Sequence, residues 1–591
     1  MRRLRCRPQD AFIWLLWTLS VWPVCPLNIT LVTVHVGANP LYGYYQALPV
    51  FAVAVQHIQQ LYPRSLAGMR YVPLYLPGYD LCGDGGDHIT EFITDQYYDR
   101  QPEIFATRNR TNFPVLAHAD CSTQSMPLGD LAREWDLPLF TSVAGDTRLV
   151  NKRRYSTTSA IASMAGSDVV TALHRLFQRY SWRTVTLICD DLSHLPGLSN
   201  FYVIQCPDTQ RLLANEGYTW YFRRIDTARH QNFRDYLIQY KDHCRIFIIL
   251  TLPEFLRKFL IVADDLRLTS GDYVFITLQP TTRPGITPIT WKLSAMEEAE
   301  LPNESDRDNQ SLRLFQTYQN LIILTGVNPD WDDVGNLTDE ISDMKAKLFG
   351  MLTVPGDERN ELQICIYEST MMFAQIFDET YPSVLSMSKS KFIRKTFNRT
   401  FNFAARNFST DHNGAMVNYI VVLRLDQVKE TFSTAMIYDP VNQSFGHINP
   451  ELWYWLNRRD PPPDEPPCGF ANNTCDTPTG SAIIIGSVAS VAALTMTAVV
   501  LAAAIRFVKR QSDLSSLWWL IDANGLTSPI QKLSAQTPAG YTALDEEIVG
   551  VRMQYRYQPV YAKKIIYGDD NTVGHQSQTK APCVQLESAE A

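Results

Sequence analysis

An α/β head, one transmembrane helix and a short, largely disordered tail is the architecture this sequence predicts. Three observations predict it. Between residues 29 and 278, short continuous apolar runs alternate with segments of helical periodicity. An uncharged, mostly apolar run covers residues 481–505. Only 86 residues follow that run.

The head is read in order. Ile29–Val36 is rich in β-branched residues and ends at Gly37. Tyr44–Leu61 places Leu48, Phe51, Ala52, Val55 and Ile58 at helical spacing and stops before Pro63. Arg70–Leu76 reads as a strand closed by Pro77-Gly78, Leu128–Trp135 as a helix and Leu137–Ser142 as a strand. Asp168–Tyr180, Phe233–Tyr240 and Pro253–Leu266 read as helices. The runs Thr184–Cys189, Arg245–Leu250 and Tyr273–Leu278 read as strands. Near-continuous apolar strands between helices indicate parallel sheets covered on both faces, hence at least two doubly wound lobes. A head of roughly 440 residues also exceeds a single typical core. Residues 300–343 are polar and acidic and are expected to form an exposed excursion. Asn418–Leu425 resumes strand character. Residues 460–467, Asp-Pro-Pro-Pro-Asp-Glu-Pro-Pro, begin a stiff stalk expected over 460–480 that holds the head off the membrane.

At 1.5 Å per residue the run 481–505 is long enough to cross a bilayer with some tilt. Arg506, Lys509 and Arg510 follow it and no base immediately precedes it, which predicts an outer head and an inner tail. The N-terminus agrees. Arg2, Arg3, Arg5 and Arg7 precede an apolar segment beginning at Ala11, the pattern of a signal peptide over residues 1–26. An uncleaved anchor is the alternative. Nine Asn-x-Ser/Thr sequons, at Asn28, Asn109, Asn303, Asn309, Asn336, Asn398, Asn407, Asn442 and Asn472, all precede the membrane run. Gly486 and Ser490, four apart, form either a helix-packing face or part of an ordinary span.

The chemistry-bearing residues point away from catalysis. No Cys-x-x-Cys or His-Glu-x-x-His spacing suits zinc. The tail lacks a glycine-rich phosphate loop and the kinase His-Arg-Asp and Asp-Phe-Gly motifs. Its 86 residues fall short of the ~150–200 expected for a cyclase domain, so no enzyme activity is expected within this chain. A net charge of −8 argues against a nucleic-acid partner. Eight cysteines lie between signal and span: Cys82, Cys121, Cys189, Cys206, Cys244, Cys365, Cys468 and Cys475. An oxidising compartment permits disulfides, but spacing leaves their connectivity open. The apolar flanks of Cys189 and Cys365 favour buried thiols.

Four ordered segments resemble the receptor guanylate cyclases and their natriuretic-peptide-receptor relatives. They are Cys121 to Thr141 with Trp135, Tyr155 to Ile188 with Phe177-Gln178-Arg179-Tyr180-Ser181-Trp182, Cys244 to Ile276 with Gly271-Asp272-Tyr273, and Pro461 to Cys475 with Pro466-Pro467-Cys468-Gly469-Phe470. The resemblance implies a two-lobed, type I periplasmic-binding-protein-like ectodomain over residues 27–459 and disulfides Cys82–Cys121, Cys206–Cys244 and Cys468–Cys475. It also implies an extracellular ligand, peptide or small molecule, and a homodimer or heterodimer with related receptors in the plasma membrane. No ligand contact carries over. Where natriuretic-peptide receptors use Gly-Pro-x-Cys to help form a chloride site, this chain reads His118-Ala119-Asp120-Cys121. No other cofactor is implied. Within the tail, residues 506–591, Tyr557 to Lys564 and Tyr567-Gly568 resemble the start of the kinase-homology domain. Where the family's next strand places Val-Ala-x-Lys, this chain reads Val573-Gly574-His575-Gln576, and the resemblance stops. Two functions follow from this pattern: a receptor that captures ligand or modulates a partner, or a truncated piece of a receptor guanylate cyclase that makes cyclic GMP from GTP.

Overall fold

The computed structural model describes residues 28–515, leaving out 106–111, 194–198, 280–288, 354–358, 472–477 and a few single positions. The signal peptide, most of the tail, and the sequons at Asn109 and Asn472 lie outside the described residues. The strands are β1 Asn28–Val36, β2 Arg70–Leu76, β3 Asn112–His118, β4 Leu139–Thr141, β5 Thr158–Ala160, β6 Thr184–Cys189, β7 Thr219–Arg224, β8 Ile246–Leu250, β9 Val274–Leu278, β10 Leu321–Gly326, β11 Thr400–Asn402, β12 Asn407–Ser409, β13 Ile420–Asp426, β14 Thr431–Asp439 and β15 Ser444–Gly446.

The first lobe is a five-stranded parallel sheet in the order β2-β1-β3-β4-β5. Period-two alternation sends β1 side chains to two cores. Ile29 and Leu31 pack with Phe51 and Ala54 of the helix Tyr44–Leu61. Val32, Val34 and Val36 pack with Ile89 and Ile93 of Cys82–Asp95 and Leu128 of Ser122–Glu134. The second lobe holds an eight-stranded sheet in the order β15-β14-β13-β10-β9-β8-β6-β7. Strands β6 to β10 are parallel, while β13, β14 and β15 add an antiparallel end.

The chain crosses between the lobes three times: between Ala160 and Gly166, at 327–334 and between Thr396 and Ile420. Between the second and third crossings it returns to the first lobe as the helices Gly335–Phe349 and Glu361–Thr380, which pack on Tyr44–Leu61. Arg406 in the third crossing grips the fully buried Glu368 of Glu361–Thr380, with Nε–Oε1 at 2.8 Å and Nη2–Oε2 at 3.0 Å.

Two expectations need correction. Residues 300–343 are not one exposed excursion. Within them Leu321–Gly326 is β10, an interior strand between β9 and β13, with Leu321 to Leu324 buried. Four continuous apolar residues, Leu321 to Leu324, suffice for a strand covered on both faces, even beside an acidic segment. Nor do residues 461–465 stand clear of the head. Trp182 Nε1 donates to Pro462 O at 2.8 Å, Thr184 N to Asp464 Oδ2 at 2.6 Å, and Arg245 N to Asp464 O at 3.1 Å. The first part of the stalk is clamped to the second lobe.

Beyond residue 477 the described residues belong to a second unit. Its helix Pro478–Ser515 contains the segment Gly486–Ser512, which is long and apolar enough to cross a bilayer.

Candidate ligand-binding cleft

Doubly wound sheets bind ligands beyond the carboxyl ends of their strands. Here those ends face each other across the lobe boundary. The first lobe contributes Tyr42 after β1, Cys121 and Ser122 after β3, and Val143 and Gly145 after β4. The second contributes Phe201, Ile204 and Gln205 from the helix Ser199–Asn215, which follows β6. The rings of Tyr42 and Phe201 meet edge-on at 6.2 Å. Together these residues line a cavity of about 10 Å³.

Each wall is braced by a disulfide. Cys82 and Cys121 join the starts of two first-lobe helices. Cys206 joins Cys189 at the end of β6, which fixes Gln205 and its neighbours against the sheet. This overturns the expected Cys206–Cys244 pair and the reading of Cys189 as a free thiol. The reason is position along the sheet. Cys244 lies before β8, and its Sγ sits 2.8 Å from Thr186 Oγ1, three residues short of Cys189. At about 3.3 Å per residue that is roughly 10 Å from the leaving end, where the helix Ser199–Asn215 starts. Cys244 is a buried thiol, and burial pushes its pKa up to about 12. Cys365 is likewise buried and pushed up to about 12. Cys468 is disulfide-bonded, and Cys475 lies outside the described residues.

A knot of four charges crosses the lobe boundary. Asp146 binds Arg148 in the first lobe, with Nη2–Oδ2 at 2.6 Å. Asp208, one turn beyond Gln205, pairs through Oδ1 with Arg211. Burial raises the Asp208 pKa to about 6; Arg211 opposes that shift and Asp146 adds to it. Gly166 N donates to Gly145 O at 2.9 Å beside them. Sequence reading did not single out Gln205 or Asp208. The available signal was their i, i+3 spacing around Cys206.

A larger cavity, about 320 Å³, lies where the crossings run together. Ser163, Asn328, Asp330, Arg406, Asn407 and Asn418 contribute its polar lining. Asn418 Nδ2 donates to Ala162 O at 2.8 Å, tying third crossing to first. Burial raises the pKa of nearby Asp168, an acceptor from Asn418 N, to about 7.

The segment His118-Ala119-Asp120-Cys121 does not suit an anion. Asp120 is buried, and its Oδ2 already accepts the Val36 amide at 2.8 Å. His118 is held neutral by burial, its pKa lowered to about 4. Of the sequon asparagines, Asn303, Asn309, Asn336, Asn398, Asn407 and Asn442 are exposed. No group of three or more metal-ligating side chains occurs among the described residues.

The receptor family ligand binding region matches residues 115–424, more than half of the chain and most of both cleft walls. The chain belongs to this family. It is 22% identical over 249 residues to a receptor-type guanylate cyclase of Caenorhabditis elegans, covering 42% of this chain and 18% of that protein. It is 20% identical over 311 residues to human atrial natriuretic peptide receptor 3, covering 52% and 54%. The speract receptor of Strongylocentrotus purpuratus is 23% identical over 389 residues, covering 59% and 34%. The chain therefore spans about half or less of the length of these relatives.

Proposed function

We propose that this chain is a single-pass plasma-membrane receptor that binds an extracellular ligand in the cleft, with residues 27–480 outside the cell and 506–591 inside. The observation that carries it is the pair of disulfide-braced lobes, joined by three crossings, whose facing strand ends line a small cavity. A ligand acts on such a pair only through its differential affinity for the open and closed arrangements. On this reading the chain carries no catalytic output of its own. It captures ligand or, as a dimer partner of a related receptor, modulates that receptor's output. The similarity to atrial natriuretic peptide receptor 3 and the speract receptor, whose names denote receptors, supports this. The exposed sequons are its proposed glycosylation sites, and Cys468–Cys475 its proposed stalk disulfide.

The test uses the full chain in lipid nanodiscs, incubated with fractionated extracellular fluid and weighed by native mass spectrometry. A bound species lost on Gln205→Trp, which fills the cleft, is expected. Retention of that species by Gln205→Trp, or no bound species from any fraction, refutes cleft binding. Co-precipitation with a full-length homologue and a change in its cyclic GMP output test the modulator role.

A second reading makes this chain a piece of a longer receptor guanylate cyclase. The likeness to the kinase-homology start at Tyr557 to Gly568 favours it, as does the 18% coverage of the nematode cyclase. Sequencing the transcript beyond the codon for Gly568 separates the two.

A further inference from the structure

Two oxygens at the cleft wall have no donor. Gln205 Oε1 and Asp208 Oδ2 are buried and unpaired among the described residues. They lie three residues apart on the helix Ser199–Asn215 and so share a face. Gln205 lines the closed cavity, as does Gly145 across the boundary. Asp208 Oδ2 lies against Gly166, whose amide binds that same Gly145.

The two neighbouring guanidinium groups already hold carboxylate oxygens. Arg211 holds the other Asp208 oxygen, and Arg148 is held by Asp146 through Nε and Nη2. A buried acceptor left unpaired carries its full desolvation cost, so a group bringing hydrogens to this face recovers that cost. The group must be small, because about 10 Å³ admits roughly one water-sized group. It must be rich in donors, and an ammonium head offers three and no acceptor. Tyr42 and Phe201 add aromatic surface at the same cavity, which favours a cation over a neutral donor. A cation here also offsets the cost of keeping Asp208 ionised out of water.

We propose that Gln205 and Asp208 form the head-group subsite of the cleft and that this subsite takes an ammonium group. The source is either a small amine or the amino group of a peptide. The proposal rests on the cleft being the ligand site.

The test measures thermal unfolding of the full chain in nanodiscs at pH 7 with n-butylamine, n-butanol or butyrate, and separately with a lysine-terminated peptide. Butylamine is expected to raise the melting temperature where butanol and butyrate do not. Its dissociation constant should weaken tenfold or more in Asp208→Asn and in Gln205→Met, two variants of near-native size. A stronger shift from the peptide than from butylamine identifies a peptide source, and the reverse a small amine. Equal shifts with butanol, or unweakened butylamine binding in both variants, overturn the ammonium subsite. A shift with butyrate alone overturns it too while leaving the cleft as a ligand site, because Gln205→Trp would abolish that shift. No shift with any probe overturns the subsite, and the native-mass experiment then decides the cleft itself.

Discussion

The two ends of the second-lobe sheet are built on opposite terms. At the leaving end, toward the cleft, Gln205 and Asp208 keep unpaired oxygens, and Asp208 stays buried with its pKa raised to about 6. At the entering end, a buried guanidinium is packed among aromatic rings and backbone carbonyls. Arg424 is buried there and donates to Gln319 O at 2.8 Å and Tyr454 O at 2.9 Å. Its guanidinium lies 5.5, 4.9 and 5.6 Å from the rings of Trp453, Tyr454 and Trp455. Tyr180 stacks on Trp453 at 5.5 Å, and Trp182 hydrogen-bonds Pro462. The leaving end presents its unpaired oxygens beside a cavity. The entering end, where Arg424 Nε, Arg245 Nε and Trp453 Nε1 also lack partners among the described residues, is packed into a joint that fastens the first stalk residues to the sheet.

The largest way to break this contrast is Arg424→Ala. It removes a fully buried side chain and leaves two carbonyls without donors. A loss of about 3–5 kcal/mol is expected. It would appear as a lower unfolding temperature and less chain at the cell surface. Arg424→Lys keeps one charge but not the planar fork and should fall between. A wild-type melt for Arg424→Ala would show that the joint is ornamental.

Next in size is the disulfide that fixes the cleft wall. Cys189 and Cys206 are 17 residues apart, and closing a loop of that size is worth about 3 kcal/mol in the unfolded chain. Cys206→Ser should lose most of this, whereas Cys244→Ser should cost about 1 kcal/mol or less. A non-reducing peptide map checks the connectivity directly. A Cys206–Cys244 peptide in that map would reverse the assignment made here.

Much of the parallel core of both lobes was legible in the sequence, and the cleft chemistry was not. Tyr44–Leu61, Arg70–Leu76 and Thr184–Cys189 have the predicted boundaries because each is a periodic or continuous apolar run closed by Gly, Pro or a polar turn. Glu361–Thr380 escaped because it is buried nearly all round, which erases a one-sided stripe. Leu321–Gly326 was hidden by acidic flanks, and the antiparallel β14 and β15 carry no helix to announce them. Gln205 and Asp208 lie on the helix Ser199–Asn215, which the sequence pattern did not announce. Only the fold shows that their face meets the other lobe.

Asp208→Asn sharpens the contrast from the cleft side. An unfolded aspartate titrates near 3.9, and the folded value here is raised to about 6. Between those values the folded chain binds more protons than the unfolded one, so stability falls as pH rises from about 4 to about 6. Above pH 6 the ionised group costs on the order of 3 kcal/mol. Asp208→Asn should remove that part of the slope and gain about 1–2 kcal/mol at pH 7.5 relative to pH 4.5, part of the gain being lost with the Arg211 pair. Denaturation midpoints at the two pH values measure this. Parallel profiles for the two proteins would mean that Asp208 is not strained in the closed cleft.

The smallest expected effect lies at the entering end. Asp464 accepts the backbone amides of Arg183 and Thr184, and its own carbonyl accepts from Arg245 N. Asp464→Asn keeps the shape but weakens two charge-assisted bonds in a partly exposed site, worth about 1 kcal/mol in all. Bulk stability will barely register it. Hydrogen exchange will, because the two amides sit at the first strand residues and open with the clamp. Faster exchange is expected at Arg183 and Thr184, with Leu187 and Ile188 deeper in β6 unchanged. If exchange rises along the whole strand, the clamp supports the sheet itself. If it rises nowhere, the stalk contact carries no load, and the entering end is held by Arg424 and the aromatic rings alone.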